Sequence, residues 1–244
     1  MGSIDKLRFL LFQIRKPDDP MKSSEMASFC WALGCAPEQI AAIDLINSPP
    51  SLSQLQAADL VLIGGAGDYS VPEGGPWLEP ALDAMRELHA GARPTFASCW
   101  GFQAMAAAMG GHVVDDHDRA EIGTLPLQLT DAGQQDPVFA GLGSPFLAHV
   151  GHHDTVDRLP ADGISLVRSE KVANHAFRFA GKPIYCTQFH PELQVSDMMA
   201  RLRMYPWYVE NIAGVKVDDF RTLLDHTPVA NRLIREFVRH VFGT

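Results

Sequence analysis

Apolar residues fall into two rhythms over the first hundred positions. Short, nearly unbroken runs at residues 7–14, 40–45, 60–63 and 94–97 have the length and content of strands buried on both faces. Between them, residues 23–33 and 76–89 carry a helical period, and Pro76 suits a first turn because its missing N–H has no intrahelical partner there. Strands alternating with helices predict a mostly parallel sheet covered on both faces. From His112 to about Gln188 the rhythm shortens, with strand-like runs at 124–129, 165–168 and 184–188 separated by turns, so this half of the sheet is expected to be antiparallel or mixed. Helical period returns over residues 196–244, where Val229, Leu233, Ile234, Phe237, Val238, Val241 and Phe242 form one stripe that should lie on the sheet. No repeat, low-complexity tract or long linker divides the chain. Residues 1–244 are therefore expected to form a single α/β domain, a central mostly parallel or mixed sheet flanked by helices.

Composition narrows the class of protein more than the fold. With 46% hydrophobic and 20% charged residues, the chain is an ordinary globular one. A net charge of -9 argues against unaided binding to nucleic acid or to an anionic membrane, both of which call for a basic patch. The N-terminal apolar run is broken by Arg8 and far too short for a membrane span, and a myristoylation pattern fails at Lys6. Cys30, Cys35, Cys99 and Cys186 show no CxxC spacing and are too few for a disulfide scaffold, which fits a reducing cytoplasm.

Three segments carry chemistry. In Ser98-Cys99-Trp100-Gly101-Phe102-Gln103 an apolar strand runs into a cysteine and then an alanine-rich helical stretch. A cysteine at such a turn projects from the sheet edge, where the first helical N–H groups favour thiolate and oxyanion. Taken alone, this segment is more simply explained by a buried structural cysteine, and the other two segments reverse that preference. In Gly64-Gly65-Ala66-Gly67-Asp68 the strand ends in glycines that let bare N–H groups approach a ligand. No Gly-Lys-Ser/Thr follows, and the dinucleotide fingerprint fails at Ser70, so neither a P-loop nor a Rossmann loop is present. In Gln188-Phe189-His190-Pro191-Glu192 a histidine and a carboxylate two residues apart share one face of an extended segment, so Glu192 can orient the imidazole. A thiol, an imidazole and an orienting group make the general form of an activated nucleophile.

In this order, the glycine turn, the Cys-x-Gly-x-Gln elbow and the Gln-Phe-His-Pro-Glu strand end resemble the motifs of the class I glutamine amidotransferases, most closely the stand-alone, GMP synthase-like branch. The resemblance implies a flavodoxin-like sheet and glutamine hydrolysis without a cofactor. By the same resemblance Cys99 is the nucleophile, His190 the general base and acid, Glu192 the orienting carboxylate, and the backbones of Gly65 and Trp100 the oxyanion hole. Gln103 matches a residue holding the substrate's amino-acid end, and His152 falls in a loosely similar pocket loop. Trp100 departs from the smaller residue usual there, although only its backbone is required. The residues after Glu192 are too few for the synthetase domain of fused relatives, so either a separate acceptor subunit takes the ammonia or the chain works alone.

The competing functions are a γ-glutamyl peptide hydrolase, whose acyl half is identical, and a non-catalytic regulatory protein, against which the intact Cys99, His190 and Glu192 set argues. No metal is expected. His149, His152, His153 and Asp154 lie in a strand-and-turn region where their side chains should not converge, and Asp115, Asp116, His117 and Asp118 read as a solvated turn. Cys30, Cys35 and Cys186 read as core residues.

Overall fold

The computed structural model describes residues 4–243. Eleven strands occur among them: β1 (Phe9–Ile14), β2 (Ile40–Asp44), β3 (Leu60–Ala66), β4 (Thr95–Ser98), β5 (His112–Asp115), β6 (Glu121–Leu129), β7 (Phe146–His152), β8 (Asp154–Arg158), β9 (Gly163–Arg168), β10 (Ala176–Phe179) and β11 (Ile184–Thr187). Nine of them form one sheet in the order β2-β1-β3-β4-β11-β10-β9-β6-β7, and β5 pairs with β8 in a separate ribbon. The first five run parallel, while every pairing from β11 to β7 is antiparallel. The change of rhythm after residue 112 thus marks a real change of sheet type.

The apolar runs are continuous because the parallel strands are covered twice. Along β1, Phe9 and Leu11 enter one core, whereas Leu10, Phe12 and Ile14 enter the other. Helices α1 (Met21–Leu33) and, at the far end of the chain, α8 (Leu233–Phe242) cover the first face, with Phe29, Leu233, Ile234 and Phe237 in its core. On the second face lie α2 (Leu52–Ala57), α3 (Leu78–Ala90) and α4 (Trp100–Ala108). Helix α3 begins two residues later than its pattern suggests. Pro76 and Trp77 form the preceding turn, closed by the Leu78 N–H on Gly75 O at 3.1 Å, and Pro76 is not a helical residue. After the short α5 (Asp131–Gln135), the helical section returns as α6 (Val195–Met204) and α7 (Pro206–Tyr208), which continues into a π turn at Val209–Ala213. Leu193, Met198, Leu202, Val209, Phe220 and Leu224 give this section its own small core. No helix among the described residues is long and apolar enough to cross a membrane.

The stripe expected on the terminal helix packs as its period requires. Phe237 is fully buried, with its ring 5.6 Å from Phe96 and 5.3 Å from Tyr185. Phe237→Ala should cost about 3–5 kcal/mol, the usual range for deleting a buried phenyl ring. Urea unfolding measures this directly, and a loss below about 1 kcal/mol would mean that α8 is not part of the main core.

Candidate active site

Because β3, β4 and β11 run parallel, their carboxyl ends meet on one edge of the sheet, the edge where open α/β sheets bind ligands. The end of β4 delivers Cys99 in a strained backbone conformation, φ 53° and ψ −106°, with its N–H bonded to Thr187 O at 2.8 Å. Helix α4 starts at the next residue, so its positive end lies at the thiol. Gly101 makes this sharp turn possible, since a Cβ there would come within 2.7 Å of Ile63 Cγ2 on β3. The indole of Trp100 turns into the second core beside Trp77, which explains why a large residue fits where only the backbone meets the site.

At the end of β3, the ladder pairs Phe12 with Ile63 and Ile14 with Ala66, so Gly64 and Gly65 together oppose Gln13 in a bulge. A methyl group on Gly65 would lie 3.2 Å from His190 Cε1 and 3.6 Å from Cys99 Cβ, which places the Gly65 backbone against both. His190 follows β11. Its N–H bonds His149 O at 2.9 Å, and its ring Nδ1 donates to Glu192 Oε1 at 2.7 Å, leaving Nε2 for the thiol. Burial by itself would strip the proton from His190, but the negative charge of Glu192 and the interaction with Cys99 outweigh it and push the pKa up to about 9. Burial likewise opposes ionisation of Glu192, yet His190 and Arg201 hold its carboxyl below the ordinary value. His149 is pushed down to about 4 by burial and by the charge on His190.

A second layer of buried charge supports this pair. Arg201 on α6 lies 3.4 Å from His190 Nδ1 and 3.5 Å from Glu192 Oε1 through Nη1, while its Nη2 is 3.7 Å from Glu25 on α1. Glu25 in turn binds Arg15 through both carboxylate oxygens, at 3.0 and 3.2 Å, and accepts from Gln13 Nε2 at 3.0 Å. None of Gln13, Arg15, Glu25 or Arg201 is among the residues expected from sequence. One signal for Glu25 was available, since it lies four and seven positions before Phe29 and Ala32 on the apolar stripe of α1. A methyl group on Gly64 would collide with its carboxylate, which gives that glycine a packing role.

The remaining candidates separate. Gln103, one turn along α4, is buried and donates to Asp154 O and Gln188 Oε1, each at 3.2 Å. The side chain of His152 turns away from the thiol, with Nδ1 3.0 Å from Asp154 O and Nε2 3.3 Å from Glu121 Oε2. Glu121 also binds His175 Nε2 at 2.6 Å, and all three residues are buried. Its neighbour Gly151 borders the cavity, and Gly151 O lies 3.9 Å from Cys99 Sγ. That cavity measures only about 50 Å³ and is bordered by Arg15, Cys99, His190, Arg201, Tyr205 and Tyr208. A cleft of about 400 Å³ adjoins it, with Tyr205 and Tyr208 lining both. Tyr205 and Tyr208, which bracket α7, therefore form a partition between the two. Cys186 and Cys30 are core residues as expected, whereas Cys35 is only partly buried.

Residues 38–203 match the family model described as glutamine amidotransferase class-I. The chain is 35% identical over 129 residues to a glutamine-hydrolyzing GMP synthase subunit of Methanosarcina acetivorans, covering 52% of this chain and 65% of that protein. To the glutamine-hydrolyzing GMP synthase of Prochlorococcus marinus it is 28% identical over 147 residues, 60% of this chain and only 26% of the relative. It thus spans less than two thirds of the length of either. Among solved structures, a glutamine amidotransferase from Thermotoga maritima superposes with a TM-score of 0.75 at 20% identity, covering 98% of this chain and 99% of that one. One from Methylobacillus flagellatus gives 0.67 at 18%, covering 96% and 95%. These two likenesses establish the fold.

The His190–Glu192 pair fixes a pH dependence. An unfolded imidazole releases its proton near 6.5, whereas folded His190 holds it to about 9, so the stabilisation is complete below about 6.5 and is lost as pH rises through 9. Wild-type unfolding free energy should fall across that window, and Glu192→Gln, without the anion that holds the proton, should show a shallower slope. Urea melts at several pH values between 6 and 9 decide it; parallel slopes would remove Glu192 as the cause.

Proposed function

The chain belongs to the glutamine amidotransferase class-I family, and we propose that it hydrolyses the side-chain amide of L-glutamine through a glutamyl thioester on Cys99, releasing ammonia and glutamate. One observation carries this reading: a cysteine strained into position at a helix start borders one cavity with a Glu-held imidazole, and the backbone of a bulged glycine packs against both. In the first half-reaction His190 already holds the proton taken from the Cys99 thiol, and the sulfur attacks the amide carbon. The N–H groups of Gly65 and Trp100 hold the resulting oxyanion. As the C–N bond breaks, His190 returns the proton to the departing nitrogen and ammonia leaves. Water, deprotonated by the same imidazole, then cleaves the thioester. Gln103, whose amide hydrogens are already engaged, offers its carbonyl oxygen to the substrate's α-ammonium group. These steps use only side chains, backbone and water, without a cofactor.

The Methanosarcina relative, named as one subunit of a synthase, points to a companion, and we take a separate synthetase or acceptor subunit to be the consumer of the ammonia. The partition formed by Tyr205 and Tyr208 supports this. A cavity of about 50 Å³ is well below the roughly 300 Å³ at which small-molecule pockets begin, so glutamine enters only when α7 shifts, a motion that docking of a partner would drive. The free thiols suit a reducing cytoplasm. A second reading, hydrolysis of γ-glutamyl peptides, is favoured by the adjoining cleft of about 400 Å³, which has room for an extended leaving amine.

Cys99→Ala should abolish glutamine hydrolysis with the fold intact, and an electrophilic glutamine analogue should label Cys99 in preference to Cys30, Cys35 and Cys186, as read by mass spectrometry of the labelled peptide. Near wild-type turnover by Cys99→Ala would sink the mechanism. Glu192→Gln should lose less activity than His190→Ala, because the carboxylate orients and the imidazole carries the proton; equal losses in folded variants would contradict these roles. The ratio of kcat/KM for glutamine to that for γ-glutamyl dipeptides separates the two readings. A peptide preferred by about a hundredfold, roughly 2.7 kcal/mol, would replace the amidotransferase with the peptidase.

A further inference from the structure

Two turns that each read as ordinary polar loops meet beside the catalytic cavity. The β5–β8 ribbon sets Asp115 opposite Asp154, and the Asp116 N–H bonds His153 O at 3.1 Å, so the end of β5 is held rigidly against the β7–β8 turn. As a result, Asp115 Oδ1 lies 2.9 Å from His153 Nδ1 and 3.4 Å from His117 Nε2, and one donor atom from each of the three residues falls within 4.8 Å of the others. The two imidazoles are parallel, with centroids 5.3 Å apart and planes 4° apart. A tetrahedral zinc ion with bonds of about 2.0–2.1 Å keeps its ligand atoms roughly 3.4 Å apart, so two of the three edges already fit to within about 0.5 Å.

Two independent features favour a cation at this point. Asp154 is only 5% exposed, and its Oδ1 makes no well-aligned hydrogen bond although it lies 3.2 Å from His153 Nδ1. A buried carboxylate oxygen without a partner, set beside the same ring nitrogen as Asp115, adds negative charge where a cation would sit. The surrounding cleft of about 400 Å³ is lined by Asp68, Glu73 and Asp115, with no lysine or arginine among the described residues that border it. We propose that Asp115, His117 and His153 bind a divalent transition-metal ion of the zinc class in this cleft, with the unpartnered carboxylate of Asp154 beside it. Two imidazoles and one carboxylate suit zinc over magnesium or calcium, which prefer all-oxygen shells. Water would complete the coordination. The ion would also touch the partition beside Cys99, because Trp207 stands edge-on to both imidazoles, 5.7 Å from His117 and 5.5 Å from His153.

The test uses the untagged chain, Zn²⁺ in calorimetric titration and Co²⁺ as an absorbing probe. One ion per chain should bind, with the visible bands of a four- or five-coordinate cobalt centre. Co²⁺ should quench part of the indole emission in wild type and not in Trp207→Phe. His117→Ala, at a position whose side chain is 57% exposed and which therefore should fold normally, should weaken binding at least tenfold. Asp154→Asn, which removes a buried negative charge beside the ion, should weaken it by about tenfold, and Cys99→Ala should bind as wild type does. The proposal is overturned if no saturable binding is seen, if binding survives in His117→Ala/His153→Ala, or if it disappears in Cys99→Ala, which would put the metal on the catalytic thiol.

Discussion

Arg15, Glu25, Arg201, Glu192 and His190 form a file of buried groups alternating in sign beneath the thiol, and the placement of every reactive atom rests on it. A charge removed from water costs several kcal/mol unless it is paired, and taking out one partner strands the next. The file therefore has few alternative arrangements. Its members come from the exit of β1, from α1, from α6 and from the strand end after β11, so these four parts of the chain must be in register before His190 can meet Cys99. Arg201 touches both Glu192 and His190, and a change anywhere in the file is transmitted to the imidazole through that side chain.

Above the charges, the site is shaped by backbone. The positive φ of Cys99, the tight approach of Gly101 to Ile63 and the bulge at Gly64 and Gly65 each deform a regular element near its end. Such deformations persist when the surrounding structure over-determines them. Here the parallel strands do so, because Phe12, Ile63 and Ala97 have strand partners on both sides and are buried together in the second core. The rigid centre of the sheet thus holds strain at its edge.

The antiparallel half and the helical section contribute enclosure. Through Gly151, β7 forms one wall of the cavity beside Cys99, and Tyr205 and Tyr208, at the two ends of α7, border it as well. A methyl group on Gly67 would collide with Tyr205, so the glycine loop after β3 and the partition are fitted to each other. The same segment carries Trp207 over His117 and His153, which joins the acidic cleft to the catalytic cavity through a single short piece of chain.

The features legible along the chain are local in origin. Unbroken apolar runs produced β1 to β4 within about three residues of their observed ends, the 3.6-residue stripe of Phe237 and its neighbours produced α8, and the change of rhythm after His112 announced the antiparallel half. The strand-to-helix turn at Cys99 and the two-residue spacing of His190 and Glu192 were legible for the same reason, since each depends on residues adjacent in the chain. Packing in three dimensions was needed to set Arg201 and Glu25 behind Glu192, to turn His152 toward Glu121 and away from the thiol, and to bring Asp115, His117 and His153 to one place. A buried charge chooses its partner by distance in space and by the cost of remaining unpaired, and neither quantity is written in the spacing of residues that lie tens of positions apart.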